Sequence, residues 1–339
     1  MSDELVRLDG VAKHFPLGGG FFGRAAVHVR AVDGVSLAVR EGQTFGLVGE
    51  SGCGKSTIAM LLVKLLEPTA GRLAFDGTDL AELKGGALKT FRRRVQIVFQ
   101  DPYGSLDPRQ TMLKALIEPL FTLKVVPDRA AALARAEEAL SLVGLDREVL
   151  KRLPHELSGG QRQRLVVARA LAVRPRFVIL DEPTSSVDVS LQAQILGLLA
   201  DLKRRQRLTY LLISHNLVVI RYMSDVVAVM YLGKIVEMAT SEDLFTRPLH
   251  PYTVALISAI PVPDPEASTM AALAKGDVPS PVNVPRGCRY HPRCPYAEAV
   301  CREQEPPLRE LHAGHYGACH FPGVAGGSVT AGVRATMPS

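Results

Sequence analysis

The chain contains no tryptophan, and aromatic residues make up only 6% of its 339 positions. Proteins that grip single-stranded nucleic acid stack bases on aromatic faces, so few platforms for that role exist here. No uncharged apolar run approaches the roughly 18 residues that a membrane-crossing helix needs. The opening Met1-Ser2-Asp3-Glu4 is acidic and lacks an apolar signal core. A cytoplasmic chain is therefore expected, and any service to a membrane would pass through a partner. Cysteine is scarce and unevenly placed: Cys53 stands alone, whereas Cys288, Cys294, Cys301 and Cys319 fall together near the end. Apolar residues are plentiful at 47%, enough for a large core, and the length allows two domains. Charged residues at 22% are ordinary for a globular protein. A net charge of +6 suits an acidic partner such as nucleotide, nucleic acid or anionic lipid without choosing among them. The basic runs Arg92–Arg94 and Lys203–Arg205 read as solvated faces beside buried elements.

Residues Gly49-Glu50-Ser51-Gly52-Cys53-Gly54-Lys55-Ser56-Thr57 form a complete phosphate-binding loop, Gly-x-x-x-x-Gly-Lys-Ser/Thr. The run before it, Thr44–Val48, is β-prone, and Ile58–Leu66 after it has helical composition. That strand–loop–helix order is the setting the motif requires. Glycines let the backbone curl so that successive N–H groups face phosphate oxygens. The following helix adds the positive end of its dipole. Lys55 is suited to the β- and γ-phosphates, and the Ser56 hydroxyl to Mg²⁺. Cys53 occupies a variable position, where alkylation would obstruct nucleotide.

Further strands are expected at Leu5–Leu8, Val35–Val39, Arg72–Phe75 and Val95–Phe99. The continuous apolar runs Phe177–Leu180 and Tyr210–Ile213 read as parallel strands buried on both faces. Val226–Met230 and Lys234–Glu237 flank Leu232-Gly233 as a hairpin, while Ala130–Leu145 and Leu191–Arg205 have helical spacing. Leu17–Gly23 is a glycine-rich loop. The strand Phe177–Leu180 delivers Asp181 and Glu182 at its carboxyl end, where ligands bind in α/β sheets. Asp181 suits a Mg²⁺ contact, and Glu182 suits a general base for the water that attacks a γ-phosphate. Leu157-Ser158-Gly159-Gly160-Gln161, ahead of a helical run, makes a second anion-binding nest.

Two phosphate-binding nests and an acidic strand end, in this order, resemble the ATP-binding subunit of an ABC transporter. The resemblance covers residues 5 to about 322 and implies an α/β fold: a P-loop NTPase core with an antiparallel β subdomain and a helical subdomain, followed by a small Cys/Pro-rich C-terminal region. It implies a nucleotide-binding domain at 1–240 with the helical subdomain at about 101–165, a C-terminal region at 241–322, and a flexible tail at 323–339. It also implies that ATP and Mg²⁺ are bound between two cassettes. Phe15 matches the adenine-stacking aromatic, Gln100 the residue that senses Mg²⁺ and the attacking water, and His215 the switch histidine at the γ-phosphate. Ser158, Gly159, Gly160 and Gln161 would reach the nucleotide of the opposing subunit, as would Asp188. The run Ser186-Val187-Asp188 departs mildly from the Ala-Leu-Asp common in the family.

Gln100-Asp-Pro-Tyr-Gly-Ser-Leu-Asp-Pro-Arg109, His250-Pro-Tyr252 and Pro261-Val-Pro-Asp-Pro265 resemble the oligopeptide/dipeptide importer branch, and the long N-terminal insertion fits its F-type ATPase subunit. The resemblance implies a second, D-type ATPase, two membrane permeases and an extracytoplasmic peptide-binding protein as partners, and no nucleic acid. It implies a peripheral location on the cytoplasmic face of the membrane. The same importer type also carries nickel, opines or glutathione, and soluble ABC ATPases of DNA repair or translation form a more distant alternative. The gaps between the four clustered cysteines lack the two-residue spacing usual for zinc and match no common ferredoxin pattern. Some family members bind a [4Fe–4S] cluster here. Iron–sulfur, zinc and reduced structural thiols all stay open at this point; His315 and His320 are read as local structure, with ligation in place of a cysteine as the alternative.

Overall fold

The computed structural model describes residues 3–17, 27–185, 187–260 and 279–325. The glycine-rich stretch after Leu17, Ser186, the proline-rich run 261–278 and the tail from residue 326 lie outside them. The first two strands are β1 (Glu4–Leu17) and β2 (Val27–Arg40), paired antiparallel from Glu4↔Arg40 to Leu17↔Val27. Both are longer than the short segments that alternation suggests. Register shifts around Leu8, Val11 and Lys13 interrupt the period of two, and the outer half of the ribbon is largely half-buried or exposed. A bulge moves one residue out of phase, so the outer half carries no clean pattern to read.

Next come β3 (Thr44–Val48), α1 (Lys55–Leu62), β4 (Ala70–Phe75), β5 (Thr78–Asp79), α2 (Gly85–Arg94) and β6 (Val95–Val98). The helices α3 (Met112–Thr122), α4 (Arg129–Leu142) and α5 (Gly159–Leu171) precede β7 (Phe177–Asp181), α6 (Val189–Gln206), β8 (Thr209–Ile213), α7 (Leu217–Met223), β9 (Val226–Tyr231) and β10 (Lys234–Thr240). The chain continues with α8 (Ser241–Thr246), α9 (Pro251–Ser258), α10 (Ala299–Glu303), β11 (Arg309–His312) and β12 (His315–Gly317).

These strands build two sheets. The smaller is antiparallel, in the order β2-β1-β4-β5; the larger runs β11-β12-β10-β9-β3-β8-β7-β6. Its strands β9, β3, β8, β7 and β6 are parallel, and β10, β12 and β11 extend the edge antiparallel. Every residue of β3, β7 and β8 is buried. Their side chains alternate between two cores, as strand geometry requires. Phe45, Leu47, Ile179, Leu211 and Ile213 pack with α1 and the small sheet, whereas Leu180, Tyr210, Leu212 and Val229 pack toward the helices. The helices α3 to α5 share that second core through Leu116, Leu120, Ala136, Leu140 and Leu165. Helix α5 runs unbroken past residue 165, so the helical lobe joins the sheet through a continuous rod.

The C-terminal lobe joins the large sheet where β12 pairs with β10, Glu237 opposite Gly317 and Met238 opposite Tyr316. Glu237 is fully buried at this junction. Its carboxylate accepts the backbone N–H groups of Leu249 at 2.7 Å and His250 at 2.8 Å, and lies 2.8 Å from His315 Nε2. A trio of tyrosines adds apolar closure: the ring of Tyr231 lies 4.7 Å from that of Tyr252 and 5.3 Å from that of Tyr290. Gly323 N–H reaches Leu249 O at 2.8 Å and Ala325 is buried, so the end of the described chain is packed against this lobe. Breaking one partner of a buried pair costs about 3–5 kcal/mol. Glu237→Ala is accordingly expected to lose about that much stability in urea unfolding, and Glu237→Gln, which keeps an acceptor, is expected to lose less.

Candidate functional site

Strand β3 ends at Val48, and residues 49–54 turn the chain into α1. Neighbouring backbone crowds this turn closely enough to dictate glycine. A Cβ on Gly49 would sit 2.1 Å from Met230 O, and one on Gly54 would sit 2.0 Å from Ala31 O. Gly54 also has φ of 112°, in the region that disfavours side chains. The loop is thus wedged between β9 and β2. Gly233 N–H donates to Cys53 O at 2.9 Å, and Glu50 N–H donates to Tyr252 Oη at 2.9 Å. The Lys55 side chain is buried, and its ammonium donates to Gly49 O at 2.7 Å and Glu50 O at 3.0 Å. Cys53 is buried beneath the loop with Sγ 3.7 Å from Lys55 Nζ; burial raises its thiol pKa against the pull of that ammonium.

Strand β7 carries Asp181 to the same end of the sheet. Asp181 is 5% exposed and its Oδ1 has no hydrogen-bond partner. Burial raises its pKa, while a hydrogen bond from Ser56 and the nearby Lys55 charge oppose the rise. A buried carboxylate oxygen with nothing to bind, beside the Ser56 hydroxyl, is a donor set that suits Mg²⁺, which takes oxygen ligands. Glu182 follows with φ of 49°, a left-handed conformation rare outside glycine. Its Oε2 accepts from Gln100 Nε2 at 2.7 Å, and its Oε1 lies 3.0 Å from His215 Nδ1. Three residues far apart in sequence meet here, from the ends of β6, β7 and β8.

The nest at Ser158 lies at the start of α5. The Ser158 hydroxyl accepts from Gln161 N–H at 3.2 Å, and the Gln161 side chain accepts from Ser158 N–H at 3.1 Å, a reciprocal cap. Asp188 caps α6 by accepting from Leu191 N–H at 2.8 Å. These two helix starts abut, because a Cβ on Gly160 would lie 2.6 Å from Leu191 Cδ2. Among the described residues, no hydrogen bond joins the Ser158 turn to residues 49–57. Phe15 sits on the outer half of β1 opposite Val29, with Lys13 Nζ 5.2 Å from its ring centre.

The four clustered cysteines line one small cavity with His250, Tyr290, His291, Tyr296 and His320. Burial, reinforced by the neighbouring thiols, pushes Cys288 up to about 12, and burial pushes Cys319 up to about 11. Among the described residues no three His, Cys, Asp or Glu side chains stand close enough to hold a single metal ion. The substitute ligands are engaged elsewhere: His315 faces Glu237, and His320 Nε2 lies 2.9 Å from Gln304 O. Sequence reasoning missed Arg289 and Arg293, which stand between Cys288 and Cys294: Arg293 reaches residues 49–57 directly, whereas Arg289 bonds Leu232 O and Asp33 Oδ2 beside them. Arg293 Nη1 donates to Glu50 Oε1 at 3.0 Å and Oε2 at 2.9 Å. The only available signal was two arginines inside the cysteine motif.

The sequence profile of the ABC transporter family matches residues 32–185, and that of the oligopeptide/dipeptide transporter C-terminal region matches residues 236–301. A probable peptide ABC transporter ATP-binding protein, y4tS of Sinorhizobium fredii, is 48% identical over 94% of this chain and 90% of its own length. The oligopeptide transport ATP-binding protein AppF of Bacillus subtilis is 45% identical over 94% of this chain and 98% of its own. Among solved structures, the dimeric post-hydrolysis ATP-binding cassette MJ0796 bound to ADP and Pi superposes with a TM-score of 0.61 at 28% identity, covering 70% of this chain and 98% of that one.

Removing a general base typically slows a reaction about 100-fold or more. With Glu182 proposed as that base, Glu182→Gln is expected to lower ATP turnover by about that factor while ATP remains bound and a closed dimer accumulates in gel filtration. Turnover at the normal rate would remove Glu182 from the role of base.

Proposed function

Because the chain belongs to the ATP-binding subunits of ABC transporters, and so hydrolyses ATP, we propose that it powers the import of dipeptides or oligopeptides. The cargo class is supported by the match of residues 236–301 to the oligopeptide/dipeptide transporter C-terminal region, and by relatives named for peptide import. Nucleotide chemistry rests on one observation above all, the carboxylate of Glu182 held between Gln100 and His215.

In this reading the β- and γ-phosphates lie along residues 49–57, with Lys55 beside them. Ser56, Gln100 and Asp181 are the side chains that would hold Mg²⁺, which draws charge from the phosphate oxygens. Glu182 accepts a proton from water as the water oxygen bonds to the γ-phosphorus. The bond from that phosphorus to the β–γ bridging oxygen breaks, and ADP departs with the electron pair. His215 orients Glu182 and faces the γ-phosphate. Phe15 offers its ring to adenine. Ser158, Gly159, Gly160, Gln161 and Asp188 act on the nucleotide of a second cassette, an arrangement supported by the dimeric state of the MJ0796 cassette. Residues 1–240 form the nucleotide-binding domain and 241–322 an accessory lobe.

The partners in this reading are a D-type ATPase, two permeases and an extracytoplasmic peptide-binding protein. No helix among the described residues is long and apolar enough to cross a membrane. In this reading the permeases hold the chain peripherally at the cytoplasmic face. The four cysteines are read as ligands of a [4Fe–4S] cluster, which would supply a covalent tie across the lobe. Support comes from all four thiols lining one cavity. A single zinc needs three or four side chains close enough to share one ion, and among the described residues no such group stands together. A cluster instead gives each thiolate its own iron.

Mass spectrometry of proteins co-purified from gently solubilised native membranes tests the transport reading. Two permeases and a second ATPase are expected; ribosomal or DNA-repair proteins without a permease would overturn it. Anaerobically purified protein is expected to be brown and to bleach in Cys301→Ser. Colourless protein with stoichiometric zinc rejects the cluster.

A further inference from the structure

Glu50 is a carboxylate placed inside a loop that must receive a polyanion. Left bare, its charge would repel the incoming phosphates through the low-dielectric surroundings of the loop. The structure supplies a countercharge from the far end of the chain. Arg293, 9% exposed at its side chain, directs Nη1 at both oxygens of Glu50, at 3.0 and 2.9 Å. Its guanidinium lies 5.9 and 6.0 Å from the ring centres of Tyr290 and Tyr231. Its Nε is buried with no hydrogen-bond partner, and the carboxylate it meets is that of Glu50.

Glu50 is then held at three points. Its side chain meets Arg293, its N–H meets Tyr252 Oη, and its carbonyl accepts from the Lys55 ammonium. The first two partners belong to the C-terminal lobe, and the third is the lysine expected at the phosphates. A second grip comes from Arg289, which bonds Leu232 O and Asp33 Oδ2. The adjoining Gly233 donates its N–H to Cys53 O at 2.9 Å and accepts Asp33 N–H at 2.9 Å. The segment between Cys288 and Cys294 therefore touches the phosphate-binding loop directly at Glu50 and through one intermediary at Cys53.

We propose that Arg293 is a positioning residue for nucleotide binding: it neutralises Glu50 and fixes the loop, so that backbone N–H groups and Lys55 are set for the phosphates. It touches no reacting atom. The inference needs only that the loop binds nucleotide phosphates, and holds whichever species the cysteines bind and whichever cargo is carried. A purely structural Arg293 would affect melting temperature but leave nucleotide affinity alone. A positioning Arg293 acts through the charge of Glu50, so removing that charge should compensate for its loss.

The test uses the full chain, with Mg-ATP turnover in the assembled complex and fluorescent ATP-analogue binding to the purified subunit. Arg293→Met is expected to raise KM and Kd about tenfold, the factor that 1.4 kcal/mol represents, with kcat changed less than about twofold. Arg293→Lys, which keeps the charge, should fall between this variant and the natural protein. Adding Glu50→Gln to Arg293→Met should restore most of the affinity. If Arg293→Met does not fold, Arg293→Lys carries the test: a raised KM at unchanged kcat supports the proposal. An unchanged KM in a folded Arg293 variant, or a defect that Glu50→Gln does not relieve, overturns it.

Discussion

A stretch of backbone that must meet a polyanion with its own N–H groups has little left with which to hold its shape. Residues 49–54 are under that constraint, and much of the surrounding architecture answers it. The loop has no side chain at Gly49 or Gly54 because Met230 O and Ala31 O stand where a Cβ would go. Those two contacts come from β9 of the large sheet and β2 of the small one. The Gly233–Cys53 hydrogen bond adds a tie from the turn between β9 and β10, and the Tyr252 hydroxyl one from α9. The loop is shaped from outside, by four separate parts of the chain.

The parallel core makes this possible. With β3, β7 and β8 buried along their whole lengths, their carboxyl ends are fixed relative to one another. Asp181 closes β7, Glu182 and His215 lie one and two residues past the ends of β7 and β8, and Lys55 opens the helix after the loop that leaves β3. The two-core arrangement also separates duties. The face shared with α1 and the small sheet backs the loop, and the other face carries α5, whose start presents Ser158 and Gly160. Gly160 lacks a side chain because Leu191 fills that space, which locks the starts of α5 and α6 together.

Much of the architecture was legible in the amino-acid order because it is local. The phosphate-binding loop, the apolar runs of β7 and β8 and the Ser158 turn each occupy a short window with its own spacing. The meeting of Gln100, Glu182 and His215 needs the sheet order, which the family resemblance implied. Two kinds of feature escaped. The outer halves of β1 and β2 lost their alternation to bulges and exposure. The Arg293–Glu50 pair joins residues 243 positions apart, and only docking of the C-terminal lobe brings them together. The four cysteines suggested a common centre by crowding alone, yet the shape of the cavity they share follows from the fold of residues 288–320.

Glu182 holds φ at 49° while facing Gln100 and His215. A side chain in the left-handed region costs about 1 kcal/mol or more relative to glycine. Laboratory selection for heat tolerance rewards relief of such strain. At this position, then, heat tolerance and the proposed role of Glu182 as base pull in opposite directions, and a screen that scores only folded, soluble protein would favour variants that lack that carboxylate.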